Sequence, residues 1–464
     1  MKPISRREAL RQMAVVGAGI VATACGATPP SGTTTGAAST TAPAGAAPAA
    51  AKITLRWDTS DATDVPAMLK MADQASKLFA QKFPNVEIKA EPPPQDPAQQ
   101  HLTEMIAGNA PDIIGQCCDT LPFWAGKKQL LKLDTYVQQD LTPDQIKDYS
   151  PAHWAAFAND RVGRFAMPMY MGTIVLYYNK DAFDAKKMAY PDSTWDWKVD
   201  GSGKYEDALK QFTDAGKRTW GGSIGDGPDR IQQKIVGNGG HWVDPSSDLK
   251  AAFDQQPAID ALQWHYDRLW KDKSLINFEA TEKLNQPQLL TNGRIMMFES
   301  GDWNLSPMVQ TVGDKLKWDV AQIPKGPVAQ NTLATTDGWA IWKGTKDAQH
   351  AWEFLKFLQT DEWNDLMITI GYLRPSRLSL FAQWESKVKQ AVPGLADKNL
   401  KAFGEAVPSA TTLELFQFHA DANQIIVAAR DATLRTGSQA DAKAAWSDAA
   451  KKVNDVETKD KASA

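Results

Sequence analysis

The chain has 464 residues, enough for two or three domains or one two-lobed body. Apolar residues make up 43% and charged residues 23%, ordinary globular values that exclude disordered, collagenous and coiled-coil classes for its bulk. A formal charge of -4 lacks the basic signature of a nucleic-acid binder, 3 cysteines cannot make a disulfide framework, and 6 scattered histidines show no zinc spacing. No metal and no cofactor is therefore expected.

Residues 1–24 read as an export signal. Lys2, Arg6, Arg7 and Arg11 form a basic start, and the run around Arg6-Arg7 is similar to a twin-arginine signal. The apolar stretch 13–24 is too short to span a bilayer by the usual count of about 20 residues. It ends in Ala22-Thr23-Ala24-Cys25-Gly26, which resembles a lipobox; cleavage before Cys25 and lipid on its sulfur are expected. Residues 25–51, rich in Ala, Thr, Gly and Pro, read as a flexible tether to that lipid. The protein is therefore expected outside the cytoplasm, at the outer face of a bacterial cell membrane or in the periplasm.

From Lys52 onward, strand and helix signals alternate. Ile53-Thr54-Leu55-Arg56-Trp57 predicts a strand, and apolar positions 65, 68, 69, 72, 75, 79 and 83 predict a helix stopped by Pro84. Val86-Glu87-Ile88-Lys89-Ala90 predicts a second strand, 97–107 a helix, and Ile113-Ile114 a third strand. This βαβαβ order implies a mainly parallel sheet, with ligands beyond the carboxyl ends of its strands. A second series begins with the strand 174–178, continues through helices near 204–217, 228–237 and 256–272, and includes the buried strand 294–298. Positions 348, 351, 352, 355 and 358 mark an amphipathic helix, and 412–455 is largely helical.

Several runs stand in a fixed order. They are Pro111-Asp112-Ile113-Ile114, Met167-Pro168-Met169-Tyr170, Tyr178-Asn179-Lys180-Asp181, Gly301-Asp302-Trp303, Ile323-Pro324-Lys325-Gly326-Pro327, Gly338-Trp339-Ala340-Ile341 and Ala351-Trp352-Glu353-Phe354-Leu355. Together they identify a chain that resembles the extracellular solute-binding proteins, family 1, of ABC importers, in the maltose-binding-protein-like group. The resemblance implies a two-lobed α/β periplasmic-binding-protein fold of class II, with the solute in a cleft between the lobes and helices at the C-terminus. It implies one lobe of 52–168 plus about 340–392 and another of about 172–335 plus 396–464, with hinges near 169–172 and 336–339. It also implies a non-catalytic monomer that captures a sugar and hands it to ABC permease subunits. An exported carbohydrate-active enzyme and a sensory binding protein remain as alternatives on the residues alone.

A sugar presents apolar faces and a rim of hydroxyls, so rings beside carboxylates, amides and arginine are the signature to seek. Asp119 lies just beyond a predicted strand end, at the offset of a sugar-binding Asp in the family; the alternative is a helix cap. Gln116 stands where the same relative has an aromatic. Trp303 matches a Trp that stacks on sugar in the family's Gly-x-Trp run, and Asp302 and Glu299 neighbour it. Trp339 and Tyr170 lie at the two implied crossovers. Trp57 and Asp58 end the first strand, Trp242 flanks a Gly-rich loop, and Tyr372 and Arg374 precede Pro375. The run 221–227 is Gly-rich but lacks the Walker Lys, so it reads as a plain turn. Cys117 and Cys118 either close a vicinal disulfide or stay as thiols.

Overall fold

A computed structural model describes residues 51–60, 65–159, 162–416 and 419–463. The expected export signal, Cys25 and nearly all of the tether lie outside those residues.

Nine strands carry the architecture: β1 (Ile53–Asp58), β2 (Val86–Glu91), β3 (Ile113–Cys117), β4 (Met167–Pro168), β5 (Val175–Asn179), β6 (Trp220–Ser223), β7 (Ile295–Ser300), β8 (Trp318–Gln322) and β9 (Asp337–Ile341). They form two sheets, in the orders β2-β1-β3-β9-β4 and β8-β5-β7-β6. As the βαβαβ pattern predicts, β1 pairs in parallel with both β2 and β3. The returning strand β9 is antiparallel to β3 and β4. In the second sheet β5 is antiparallel to β7 and β8, while β7 and β6 are parallel.

The helices follow from apolar spacing and local stops. Helix Val65–Lys82 buries Met68, Met71, Ala72, Ala75 and Phe79, one face at the 3.6-residue period. Helix Pro97–Ala107 starts at an Asp96 cap and ends at Gly108, whose φ of 80° is the left-handed stop that glycine adopts without strain. Helices Pro228–Gly237 and Ala348–Phe357 appear where the periodicity puts them. Among the described residues no helix is long and apolar enough to cross a membrane.

Each sheet has its own core. Trp57, Phe79, Trp339, Trp352, Phe354 and Trp363 pack together under the first sheet, with Trp57 edge-on to Trp339 at 5.3 Å and to Phe354 at 4.9 Å. The second sheet is covered on one side by Trp197, Trp242, Trp264 and Trp446, and on the other by Trp318, Trp384 and Phe403. Helix Leu378–Ala391, expected with the first lobe, packs Trp384 and Val388 into the same cluster as Val175 and Tyr177.

Three chain segments run between the two sheets and bind one another. The Gly172 N–H donates to the Thr335 carbonyl at 2.8 Å, and the Thr335 N–H returns a bond at 3.1 Å. The Met171 N–H donates to the Arg374 carbonyl at 3.1 Å, and Tyr170 forms an antiparallel bridge with Pro375. The contact needs a glycine: a Cβ on Gly172 would sit 2.6 Å from the Thr335 carbonyl oxygen and 2.7 Å from the Tyr170 ring.

Candidate functional site

The carboxyl ends of β6 and β7 open onto a cavity of about 500 Å³ whose lining includes Ser223, Asp226, Arg230, Ser300, Trp303 and Asn304. That volume lies within the range of ordinary small-molecule sites, about 300–1,000 Å³. Trp303 is half-buried and set by the chain beneath it. Its indole folds back across Gly301, where any Cβ would fall on the ring, and the Gly301 carbonyl is held by the Tyr177 hydroxyl at 2.7 Å. Tyr170 approaches edge-on with ring centroids 6.4 Å apart, and the Arg230 guanidinium lies 5.8 Å from the Trp303 ring. The indole is thus flanked by a crossover tyrosine and an arginine from helix Pro228–Gly237.

Asp119 is exposed at the end of β3. It precedes helix Thr120–Gly126 but makes no side-chain cap bond. Its carboxylate instead meets the Cys117 thiol and the Thr120 hydroxyl, the latter at 3.1 Å. Cys117 and Cys118 are unbonded thiols. Burial pushes both up, with the Asp119 charge adding to it, so both stay protonated at neutral pH. The Asp229 charge, from the first turn of helix Pro228–Gly237, also acts on Cys118. Beside Cys117, Gln116 is buried, and its Nε2 has no hydrogen-bond partner among the described residues.

Tyr170 is 4% exposed and donates to Asp337 Oδ1 at a long 3.5 Å. Burial, then the Asp337 and Asp302 charges, push its hydroxyl well up, so it acts only as a neutral donor or acceptor.

Of the other expected residues, Glu299 belongs to the cavity lining, and the rest take structural places. Asp302 and Arg374 are both fully buried and paired with each other. The Arg374 backbone N–H and Nε donate to Asp302 Oδ2 at 2.9 and 3.4 Å, while Nη1 reaches the Phe403 carbonyl at 2.8 Å and Nη2 the Thr173 hydroxyl at 2.9 Å. Burial pushes the Asp302 carboxyl up, and Arg374 partly offsets it. Glu299 is buried and takes Lys234 Nζ at 2.6 Å, an ammonium lying 5.8–5.9 Å from the rings of Trp197, Tyr205 and Trp264. Asp58 is buried between the Ser60 N–H at 2.9 Å and His101 Nε2 at 2.5 Å. Trp57 and Trp339 are enclosed in the first core and Trp242 in the second, so none of the three presents a ring to solute in this structure. Tyr372 takes a left-handed φ of 59°, and its carbonyl accepts Trp384 Nε1 at 3.2 Å.

Arg230, Asp226 and Ser223 escape the sequence reading. The last two come from the Gly-rich run read as a plain turn, which ends β6 and lines the cavity. Glycine content was the available signal, and without Walker residues it gave no pointer beyond a turn.

The family model described as bacterial extracellular solute-binding protein matches residues 74–396. An ABC substrate-binding protein of Listeria monocytogenes, in complex with cycloalternan, is similar at a TM-score of 0.74 and 20% identity, over 89% of this chain and 99% of its own. A Thermotoga lettingae ABC transporter solute-binding protein, bound with alpha-D-tagatose, is similar at 0.72 and 19% identity, over 88% and 100%. MalE3 of T. maritima, bound to maltose, is similar at 0.69 and 17% identity, over 88% and 99%. With two α/β sheets joined by three crossing segments and a family match over most of its length, this chain belongs to the bacterial extracellular solute-binding proteins.

Proposed function

We propose that the chain is the receptor of an ABC importer and that its solute is a sugar. The observation that carries this is Trp303: a half-buried indole laid over Gly301 at a strand end, with Tyr170 and Arg230 around it. A ring face with polar neighbours suits the alternating apolar and hydroxyl surface of a sugar. Asp119, Gln116, Tyr170 and Trp303 are the wild-type contacts we assign to the solute. Structural relatives in complex with cycloalternan, alpha-D-tagatose and maltose support the class.

A glycosidase needs two available carboxyl groups flanking the scissile bond. Glu299 and Asp302 are each tied to a buried cation, which speaks for a receptor rather than an enzyme. Solute favours a closed form only through its higher affinity for that form, and a permease would read the closed shape. We take the lobes as built on the two sheets, the hinge as 169–172 with 335–337 and 372–376, and the receptor as a monomer. Cleavage before Cys25, lipid on its sulfur and the tether 25–51 would hold it at the outer face of the cell membrane or in the periplasm.

A thermal-shift screen against a sugar panel tests the reading. A ligand at one hundred times Kd stabilises by about 2.7 kcal/mol. Trp303→Ala and Asp119→Ala should each weaken the hit at least tenfold, about 1.4 kcal/mol. Normal binding by both variants would overturn the site, and no sugar hit would overturn the class.

A further inference from the structure

The cavity that Trp303 lines has a second aromatic residue on its wall, Phe278, which the sugar reading does not use. Phe278 is 54% exposed, one of the few large apolar side chains left in water. Its ring is nevertheless fixed. The Arg435 guanidinium lies 4.1 Å from the ring centroid, and Arg435 is gripped by Asp226 through Nε at 2.5 Å and Nη2 at 3.5 Å. A planar cation therefore backs the ring, and Asp226 ties that cation to the same cavity.

The rim beside Phe278 is shaped as well. Glu282 and Lys283 both take left-handed φ values, 55° and 64°, a conformation that strains side-chain-bearing residues. Arg218 and Arg294 hold Glu282 in that turn. The turn brings Lys283 to the cavity wall, where it ion-pairs with no described residue. Farther in, Gln286 Nε2 reaches Ser223 Oγ and the Glu299 carbonyl only at 3.4 and 3.5 Å, bonds long enough for a solute hydroxyl to replace.

Resting on the sugar reading, we infer that Phe278 is a second stacking platform and that the solute is an oligosaccharide long enough to bear on both Trp303 and Phe278. A single hexose on Trp303 would leave Phe278 in water and the Lys283 ammonium without a partner. An extended chain covers the open face of the ring and meets Gln286 and Lys283 with its hydroxyls.

Calorimetric titration of the mature protein with gluco-, manno-, galacto- and xylo-oligosaccharides of one to four rings tests this. In the series that binds, affinity should rise at least tenfold from the shortest to the longest member. Phe278→Ala should erase that rise while leaving the shortest binder within twofold, Phe278→Trp should restore it, and both variants should melt like the parent. A monosaccharide that binds as tightly as the longest chain, or a Phe278→Ala loss that is nil or equal for all lengths, overturns the second platform and leaves the sugar reading standing. Failure of every sugar to bind overturns both.

Discussion

Arg374 offers the sharpest test of how the crossover is held. It is fully buried, and its side chain bonds Asp302, the Phe403 carbonyl and the Thr173 hydroxyl. Arg374→Met keeps most of the apolar stem and removes the guanidinium. Among the described residues Asp302 Oδ2 then keeps only the backbone N–H of residue 374, while Oδ1 already has no partner. Breaking a buried pair from one side costs roughly 3–5 kcal/mol, because the surviving charge stays desolvated. Against a total stability of about 5–15 kcal/mol, the variant should fold but unfold at clearly lower urea. Asp302→Asn should cost a similar amount, and the double variant should recover much of it, since a neutral pair carries no stranded charge. Urea unfolding, followed by circular dichroism and by tryptophan fluorescence, gives the three values for the cycle. A loss below about 1 kcal/mol for Arg374→Met, or strictly additive losses, would refute the argument. Unchanged stability with a lost solute affinity would move Arg374 to the binding surface that the sequence suggests.

Acid should destabilise the protein through two histidines. Burial pushes His153, which holds the Gly172 carbonyl at 2.8 Å, and His265 down to about 4. The unfolded chain binds these protons first, so stability is intact above pH ~6.5 and falls as pH drops toward 4, by up to about 3 kcal/mol per histidine. Urea midpoints across that window should show the fall, and His265→Gln should remove about half of it; an unchanged slope would contradict the burial argument. Gly172→Ala should force the crossing segments apart and lower both melting temperature and affinity, whereas normal values would mean that the hinge yields easily. Gly301→Ala should tilt the Trp303 indole and weaken solute binding at least tenfold with little change in melting temperature, and retained affinity would refute that packing. Alkylation in denaturant without reductant should label Cys117 and Cys118 both; a mass lacking both labels would reveal the vicinal bond instead.

The parallel start of the first sheet was legible because Leu55, Trp57, Phe79 and Ile113 repeat at strand and helix periods. The family resemblance pointed to Trp303 and to the crossing segments. What could not be read was which tryptophans face a cavity. Trp57, Trp242, Trp339 and Trp303 share one residue type, yet three are enclosed by partners distant in sequence, such as Phe354 and Trp446. The ion pairs of Asp302 and Glu299 were hidden for the same reason: their cations, Arg374 and Lys234, lie 72 and 65 residues away. Arg230 and Phe278 carried no local signal, because their setting depends on Trp303 and on Arg435 brought in by the fold.

The position of β9 has a consequence for synthesis. It lies between β3 and β4, although most of the chain precedes it. A nascent chain that has released β3 must wait for Asp337–Ile341 before that edge can pair. At about 5–20 residues per second the wait is roughly ten seconds or more. Through that interval Ile113 and Ile114 offer an apolar, unpaired strand edge, the kind of surface on which chains associate. The amino-terminal half is therefore no autonomous folding unit. A chain ended before Asp337 should be insoluble or protease-sensitive even though it contains four of the five strands of its sheet, three of them as neighbours.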